Sequence, residues 1–549
     1  MNRALILDGY IDEPAAFGVP PYISHYVRYA AGILAMKNYQ VTYYTIDQVR
    51  TEKLWDELPH FDLILVIGGI TVPGNYVGGQ PMSHDELEMI LGTCKRSIRL
   101  IGGPFSSFQA RKGGTKAKEL QLGADYALSP DIAVDLYNYL FDLQERNNNW
   151  KIVRSASVLG ASIIKQHPRY PNVICEIELS RGCERKGHCS FCAEPIFYPK
   201  FTSRPVEDVI DEICELYKNG CRAFRFGRSA NVLAYYFDID GKPCPTVFED
   251  LYKTIWTRCP QIEVLHHDNA NPAFIANYER ECAKIVETMV SWNTTGDVLS
   301  FGVESFDPRV VKMNNIMNFP QQVLRAVELV NQIGTVRIDG VPKLLPGINL
   351  VFGLIGETKQ TYEENLKWLK LILDKGLLLR RINLRQVIVE PGTALYRFSQ
   401  REKLRLNREL FRKYKEKIRE QIDLPMIRRV FPVGSILRNV YPEYREGKIT
   451  FARQLGSYPV LAGVAGEFAS KGDVVVVDHG PRSITAVRYP LNLNTASYEE
   501  LIQIPTIGER RAKKILLARP FKSFEELMKV LENNQECMNV LNKIGAVVS

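Results

Sequence analysis

ELSRGCERKGHCSFCAEP, residues 178–195, places Cys183, Cys189 and Cys192 in one loop, directly after an apolar run at residues 173–179 that reads as a strand. Three thiolates are one short of the four that fully ligate a [4Fe-4S] cluster, so such a cluster would keep one iron open to a substrate or cofactor. Gly182 and Gly187 supply the loop with the flexibility that wrapping a cluster needs. A structural zinc ion is the competing reading. It needs a fourth ligand, and His188, adjacent in sequence to Cys189, is poorly placed to complete a tetrahedral shell.

Working outward, residues 151–400 alternate strands and helices. Strands are expected at residues 173–179, 222–226, 263–266, 298–303, 348–352 and 382–389, with helices at 205–219, 273–290, 320–332 and 361–373. Gly220 ends the first helix at its C′ position. Six strand–helix units suggest a (β/α) barrel, whose active site belongs at the C-terminal ends of its strands. Residues 1–150 show apolar runs at 4–7, 41–44, 63–67, 98–101 and 126–128, the pattern of a doubly wound parallel sheet. Gly68, Gly69, Gly102 and Gly103 follow strand ends, where such sheets bind ligands or make tight turns. The absence of a GxGxxG gives no reason to expect a nicotinamide cofactor.

Beyond the barrel, residues 401–430 form a basic helical linker, and residues 431–489 break into short β-rich runs, with 474–477 and 483–487 pairing as a hairpin of a small barrel. In residues 490–549, Thr495 or Ser497 suits the cap of a helix entering at Glu499. Gly508 occupies the turn of IPTIGERRAKKIL, and Gly545 a second, similar turn in LNKIGAVV.

Composition sets the frame. A chain of 549 residues suggests about three or four domains. Its 45% apolar and 24% charged content is that of a soluble globular protein. Asp8, Asp12 and Glu13 come too early for a signal peptide. With no run of about 20 apolar residues either, a cytoplasmic location is expected. Eleven cysteines in such a chain point to metal chemistry and buried thiols before disulfides. The net charge of +8 suggests an acidic partner. Basic residues crowd positions 401–429, where a solvated helix face explains them as well as nucleic acid does, and recur at Arg510, Arg511, Lys513 and Lys514.

The SRGC…CSFC loop after a first barrel strand, followed by RPVEDVIDEICELYKNG, resembles the radical S-adenosylmethionine superfamily, especially its tRNA-modifying members, over about residues 170–395. The resemblance implies a [4Fe-4S] cluster on Cys183, Cys189 and Cys192, with S-adenosylmethionine on the open iron as the source of a 5′-deoxyadenosyl radical. Five residues separate Cys183 from Cys189, where the commonest pattern has three, but a longer loop costs little closure entropy. Phe191 matches the aromatic beside the adenine. Gly227-Arg228-Ser229 stands where many relatives carry GGE, so the carboxylate for the methionine amino group is missing and Ser229 or another side chain must accept that hydrogen bond. FGVESFDPRVVKMNN places Glu304 and Ser305 near the cofactor ribose and methionine; a helix-capping carboxylate is the plainer reading of Glu304. GINLVFGLIGETKQTYEENL resembles the GxPGET motif, with Ile355 for Pro. There Gly353 and Gly356 let backbone approach the adenine, and Glu357 and Thr358 start a helix. Arg385 is a candidate for the cofactor carboxylate or a substrate phosphate. His266, His267, Asp268 and Asn269 end the third strand, and Asp268, Asn269 and Glu304 are the catalytic candidates.

The expected fold is therefore α/β: an N-terminal Rossmann-like domain, a radical S-adenosylmethionine (β/α)6 partial TIM barrel, a small β-barrel module and a C-terminal helix-hairpin-helix. The N-terminal domain resembles those preceding the barrel in methylthiotransferases and cobalamin-dependent relatives. Cys94, however, is its only cysteine, too few for a second cluster, and the DxHxxG of cobalamin ligation is missing. The β unit resembles a TRAM or OB-type RNA-binding module, with protein packing as the alternative. IPTIGERRAKKIL resembles a helix-hairpin-helix whose turn amides grip phosphates, making Gly508, Arg511, Lys513 and Lys514 nucleic-acid contacts. The domain order as a whole resembles an archaeal group that includes the radical enzyme of archaeosine synthesis. That implies tRNA as substrate, C–N cleavage of a lysine-adducted 7-cyano-7-deazaguanine, an electron donor, and a possible complex with the enzyme that supplies the adduct. Methylthio transfer and a non-catalytic nucleic-acid-binding metalloprotein are the alternatives.

Overall fold

Two parallel sheets and a closed β-barrel are threaded on one chain in the computed structural model, which describes residues 2–13, 16–17, 19–68, 78–103, 114–116, 123–404 and 406–548. Gly69 lies outside the described residues. In the N-terminal sheet, Gln40–Thr45 is at one edge, followed by Arg3–Asp8, Leu63–Ile67, Ile98–Gly102 and Tyr126–Ala127, all parallel. Leu63–Ile67 is buried on both faces, as its unbroken apolar run requires. Alternate residues feed two cores. Ile64 and Val66 join Leu5 and Ile90 on one side. Leu63, Leu65 and Ile67 join Tyr26, Ala30 and Ile33 of helix His25–Met36 on the other, in a core that continues to Cys175 and Ile177 of the next sheet.

All six barrel strands form, at Ile174–Glu178, Ala223–Gly227, Val264–His267, Asp297–Glu304, Leu344–Phe352 and Arg381–Gln386. The third is longer than its apolar run suggests. It resumes at Asn269–Ala270, pairing with the second strand before the break at Asp268 and with the fourth strand after it. The first and sixth strands do not pair, so the barrel is open on one side. Unpaired edges invite other strands, and the N-terminal unit covers part of both: Tyr22–Ile23 adds a parallel strand to the first, and Lys116 bridges Val389 beyond the sixth. Below these edges, Arg28 of helix His25–Met36 and Arg204 both bond Glu212 of helix Val206–Lys218, all three fully buried. The helix expected at 273–290 is two, Pro272–Asn277 and Glu279–Trp292, broken where Tyr278 packs its ring on Phe237 and Phe274.

Helices Arg408–Ile418 and Leu424–Val430, joined by a wide turn at Arg419–Asp423, lead into a closed barrel of five strands. Its hairpin pairs Gly472–His479 with Ser483–Arg488. The loop after strand Ile449–Gln454 enters the N-terminal foot of the larger barrel. Tyr22 Oη donates to the Gly456 carbonyl (2.5 Å), Ser457 N–H to His266 Nδ1 (2.9 Å), Ser457 Oγ to the His267 carbonyl (2.6 Å) and Tyr458 Oη to Asp268 (2.7 Å). Gly456 is obligatory there: φ is +144°, and a Cβ would stand 2.7 Å from His266 Cε1.

At the C-terminus, Ser497 and not Thr495 caps a helix that begins at Tyr498, one residue before Glu499, because Glu500 completes a capping box with Ser497. Gly508 caps helix Glu509–Ala518. Gly545 does not form a second helix-hairpin-helix turn: it follows helix Gln535–Lys543, and Ala546–Val547 then pairs with Leu491–Asn492. Among the described residues no helix is long and apolar enough to cross a membrane.

Candidate active site

The cysteine loop leaves the first barrel strand through a small clasp, Ser180–Arg181 paired with Thr202–Ser203. Arg181 anchors it. Its buried guanidinium binds Glu178 and Asp131, both at 2.8 Å, and lies over Trp150. The Gly182 N–H donates to Glu194 just beyond the last cysteine (2.9 Å), closing the loop at its base. The two extra residues between Cys183 and Cys189 give the loop reach. Arg185 and the His188 carbonyl bond Asn315, and Ser190 bonds Asn314 through backbone (2.9 Å) and side chain (2.7 Å). The loop is thus pinned to the segment that follows the fourth strand.

None of the three cysteines is in a disulfide. Burial pushes each thiol up, with Glu184 adding to it at Cys183, while Arg185 Nη1, 3.2 Å from Cys189 Sγ, pulls the other way. Bound iron would reverse that push, since coordinating thiols are deprotonated. Thiolates sharing one tetrahedral zinc sit about 3.8 Å apart. Among the described residues no set of three donors that includes these sulfurs falls within 4.8 Å, wider than that zinc spacing. Phe191 packs with Val310, Leu354 and Val389 over the barrel mouth.

At the second strand's end, Gly227 permits close approach: a Cβ would stand 1.5 Å from Glu176 Oε1. Arg228, at φ +52°, turns its guanidinium to Glu194 (2.9 Å) and the Tyr198 ring. It therefore braces the cysteine loop. Ser229 is buried, its hydroxyl accepting from Ser180 (3.1 Å) and donating to the Gly227 carbonyl (3.4 Å). A carboxylate outside the motif stands in the cysteine loop itself. Glu184, in the lengthened loop, accepts from Asn231 Nδ2 (2.9 Å) and Asn271 Nδ2 (3.3 Å) and reaches within 3.6 Å of Cys183 Sγ. Its only sequence signal is a charged residue beside a cysteine.

Glu304 also has positive φ, +63°, at a bulge that ends the fourth strand. Strain of this kind is sustained only where the surroundings fix it. Burial pushes its carboxyl up to about 8 while Arg385 pulls it down. It caps no helix; Asp307 does, and the Ser305 hydroxyl accepts the Asp307 N–H (3.1 Å). Gly353 donates its N–H to Glu357 (2.6 Å), which also accepts from Tyr362, so Glu357 shapes the fifth-strand turn.

Asp268 is not a free acid at the mouth. Its carboxylate is ion-paired to Arg225, which also holds Glu176, and it accepts from Tyr458, all buried. His266 takes the Ser457 N–H, and His267 bonds Asp297 (2.7 Å) and Tyr252. These residues lock the barrel foot to the β module. Asn269 stays beyond that lock, opening the second part of the third strand. In the C-terminal motif, Arg511 donates to the Thr506 carbonyl (2.6 Å), Lys514 pairs with Glu532 and Lys513 with Glu509 (3.8 Å), and Gly508 is exposed at the N-cap.

Residues 177–369 match the model of the Radical SAM superfamily, and residues 489–538 that of a helix-hairpin-helix motif. An uncharacterised protein of Archaeoglobus fulgidus is 39% identical over 535 residues, 96% of this chain and 97% of its own length. Another, of Methanocaldococcus jannaschii, is 42% identical over 513 residues, 88% of this chain and 93% of its own. The tRNA-2-methylthio-N(6)-dimethylallyladenosine synthase of Desulfotalea psychrophila is 22% identical over 201 residues, 36% of this chain and 41% of its own. Enzymes of the superfamily use a [4Fe-4S] cluster and S-adenosylmethionine.

Proposed function

This chain is a radical S-adenosylmethionine enzyme and belongs to one family with the Archaeoglobus and Methanocaldococcus proteins, and we propose that it modifies tRNA, forming archaeosine by radical C–N cleavage of a lysine-adducted 7-cyano-7-deazaguanine. Cys183, Cys189 and Cys192 hold the cluster in this reading. When bound, the cluster and S-adenosylmethionine supply a 5′-deoxyadenosyl radical and release methionine. Arg185 offsets negative charge at Cys189, and Glu184, held by Asn231 and Asn271, accepts the cofactor amino group in place of the absent motif carboxylate. Phe191 and Gly353 border the adenine side, and Glu304 with Arg385 faces the barrel interior where the substrate base would sit. Hydrogen abstraction from the lysyl carbon beside nitrogen leaves a carbon radical, which returns one electron to the redox partner that supplied one for S-adenosylmethionine cleavage; water then hydrolyses the resulting C=N bond, leaving the formamidine of archaeosine and releasing the lysyl carbon as an aldehyde.

One observation carries the reading: the cysteine loop stands over a barrel whose foot is keyed, through Ser457 and Tyr458, to a β module followed by a helix-hairpin-helix. A catalytic barrel fixed to a backbone-reading motif fits a polymer substrate. Similarity to tRNA methylthiotransferases supports tRNA and favours methylthio transfer as the second reading. Against that second reading, the N-terminal unit's one cysteine, Cys94, is buried in its core. Mass spectrometry of tRNA nucleosides from a deletion strain tests the proposal: archaeosine should vanish, and an unchanged level would reject it.

A further inference from the structure

The open side of the barrel, between the first and sixth strands, leads into a cavity of about 960 Å³ enclosed by the N-terminal unit, the sixth strand, the basic linker and the β module. No cysteine lines it. Its link to the mouth is Arg385, whose charge acts on Glu304. Arg381 and Arg385 are alternate but one on the sixth strand and share its inward face. Lys415 and Arg419 are four apart along one helical run and share a face as well. Arg482 joins them from the hairpin turn between Gly472–His479 and Ser483–Arg488.

The cavity's cations are half-buried, and Arg482 is exposed; their contrast with the molecule's fully buried arginines is the decisive point. Arg28, Arg181, Arg204, Arg225 and Arg228 each meet a carboxylate. Among the described residues no salt bridge reaches Arg381, Arg385, Lys415, Arg419 or Arg482, and the buried Nε atoms of Arg381 and Arg419 lack a hydrogen-bond acceptor. Arg381 instead lies over the Tyr458 ring at 4.9 Å. Two acids among the described residues line the cavity: Glu443 pairs with Arg453 at 2.7 Å, and Asp423 sits among the cations, where burial raises it to about 6 even though Arg482, Arg419 and Arg381 pull it down. Burial, with the charge of Arg482, pushes Arg381 down to about 10 and lowers Arg419. A guanidinium stays protonated under all ordinary conditions, so these groups keep their positive charge in the cavity.

We propose that this cavity is a phosphate-binding site for an RNA strand, in which Arg381, Arg419, Arg482 and Lys415 take successive backbone phosphates and Tyr441 and Tyr458 line the wall beside the bases. Guanidinium forks match phosphate oxygens, and arginine with aromatic walls is how single strands are held without sequence reading. The volume is at the upper end for a small-ligand pocket. The inference rests on the tRNA reading and adds where the strand enters: from the side of the barrel, toward Arg385.

The test uses the reconstituted full chain and a fluorescein-labelled tRNA transcript, with anisotropy read from about 0.05 to about 0.3 M salt. Arg419→Gln with Arg482→Gln should weaken binding about tenfold and lower the salt slope by about 1.4, near 0.7 per lost phosphate contact. Iron content and thermal midpoint should hold; if the double variant does not fold, Arg482→Gln alone at the exposed turn should lower the slope by about 0.7. Unchanged affinity and slope would overturn the site while leaving tRNA binding intact. Loss of adenosine monophosphate or inorganic phosphate binding, with tRNA binding unaltered, would overturn the RNA assignment. A wild-type chain that does not bind the transcript would sink the tRNA reading itself.

Discussion

Replacing Arg225 by Met tests whether Asp268 is structural or catalytic. Arg225 is fully buried between Glu176 and Asp268, bonds Ser457 Oγ at 3.2 Å, and lies near the Tyr22 and Tyr458 rings. Removing one partner of such a group leaves two carboxylates without compensation, at a cost of about 3–5 kcal/mol. With unfolding entropy of about 2.1 cal/mol/K per residue, a cooperative unit of roughly 250 residues would lose about 8 °C from 4 kcal/mol. The assay is thermal unfolding of the reconstituted protein by circular dichroism. The companion is the triple variant Arg225→Met, Glu176→Gln, Asp268→Asn, which removes the stranded charges and should recover more than half of the loss. It should also retain 5′-deoxyadenosine formation, because Asp268 is spoken for by Arg225 and Tyr458. A shift below about 2 °C for Arg225→Met, or a stable triple variant with no 5′-deoxyadenosine, would refute the structural assignment.

Three further outcomes are expected. Glu184→Gln should weaken S-adenosylmethionine binding about tenfold in equilibrium dialysis with iron content unchanged, a loss of about 1.4 kcal/mol; a fall in iron instead would make Glu184 a loop brace. Asp8, raised to about 7 by burial against the pull of Tyr43 and Tyr10, keeps its proton in the folded state after the unfolded carboxyl has lost it. Stability should therefore fall as pH rises from about 4 to about 7, by at most about 4 kcal/mol, and Asp8→Asn should flatten the thermal midpoint over that range. Gly456→Val forces a Cβ against His266 and should cost about 1–3 kcal/mol and expose the loop at residues 455–460 to limited proteolysis; a protected loop would show that the β module docks by other contacts.

Local pattern carried far in this chain. Period and apolar runs located the five N-terminal strands and all six barrel strands within a few residues, because burial on a parallel sheet leaves its mark in neighbouring positions. The cysteine spacing, the Gly508 turn and the hairpin near Ser483 were legible for the same reason. What sequence alone left open were roles that depend on partners far along the chain. Tyr22 meets Gly456 across 434 positions, and Arg225 meets Ser457 across 232. No spacing rule announces such contacts. They turned Asp268 and His266 from mouth residues into the lock at the barrel foot. Glu184 is positioned by Asn231 and Asn271 on other loops. The basic cavity likewise exists only because the sixth strand, the linker and the Arg482 turn converge. The chain by itself determined the elements and the cluster loop; the tertiary structure decided which charges are neutralised inside the fold and which are left for a ligand, since charge compensation depends on distances in space that residue order does not encode.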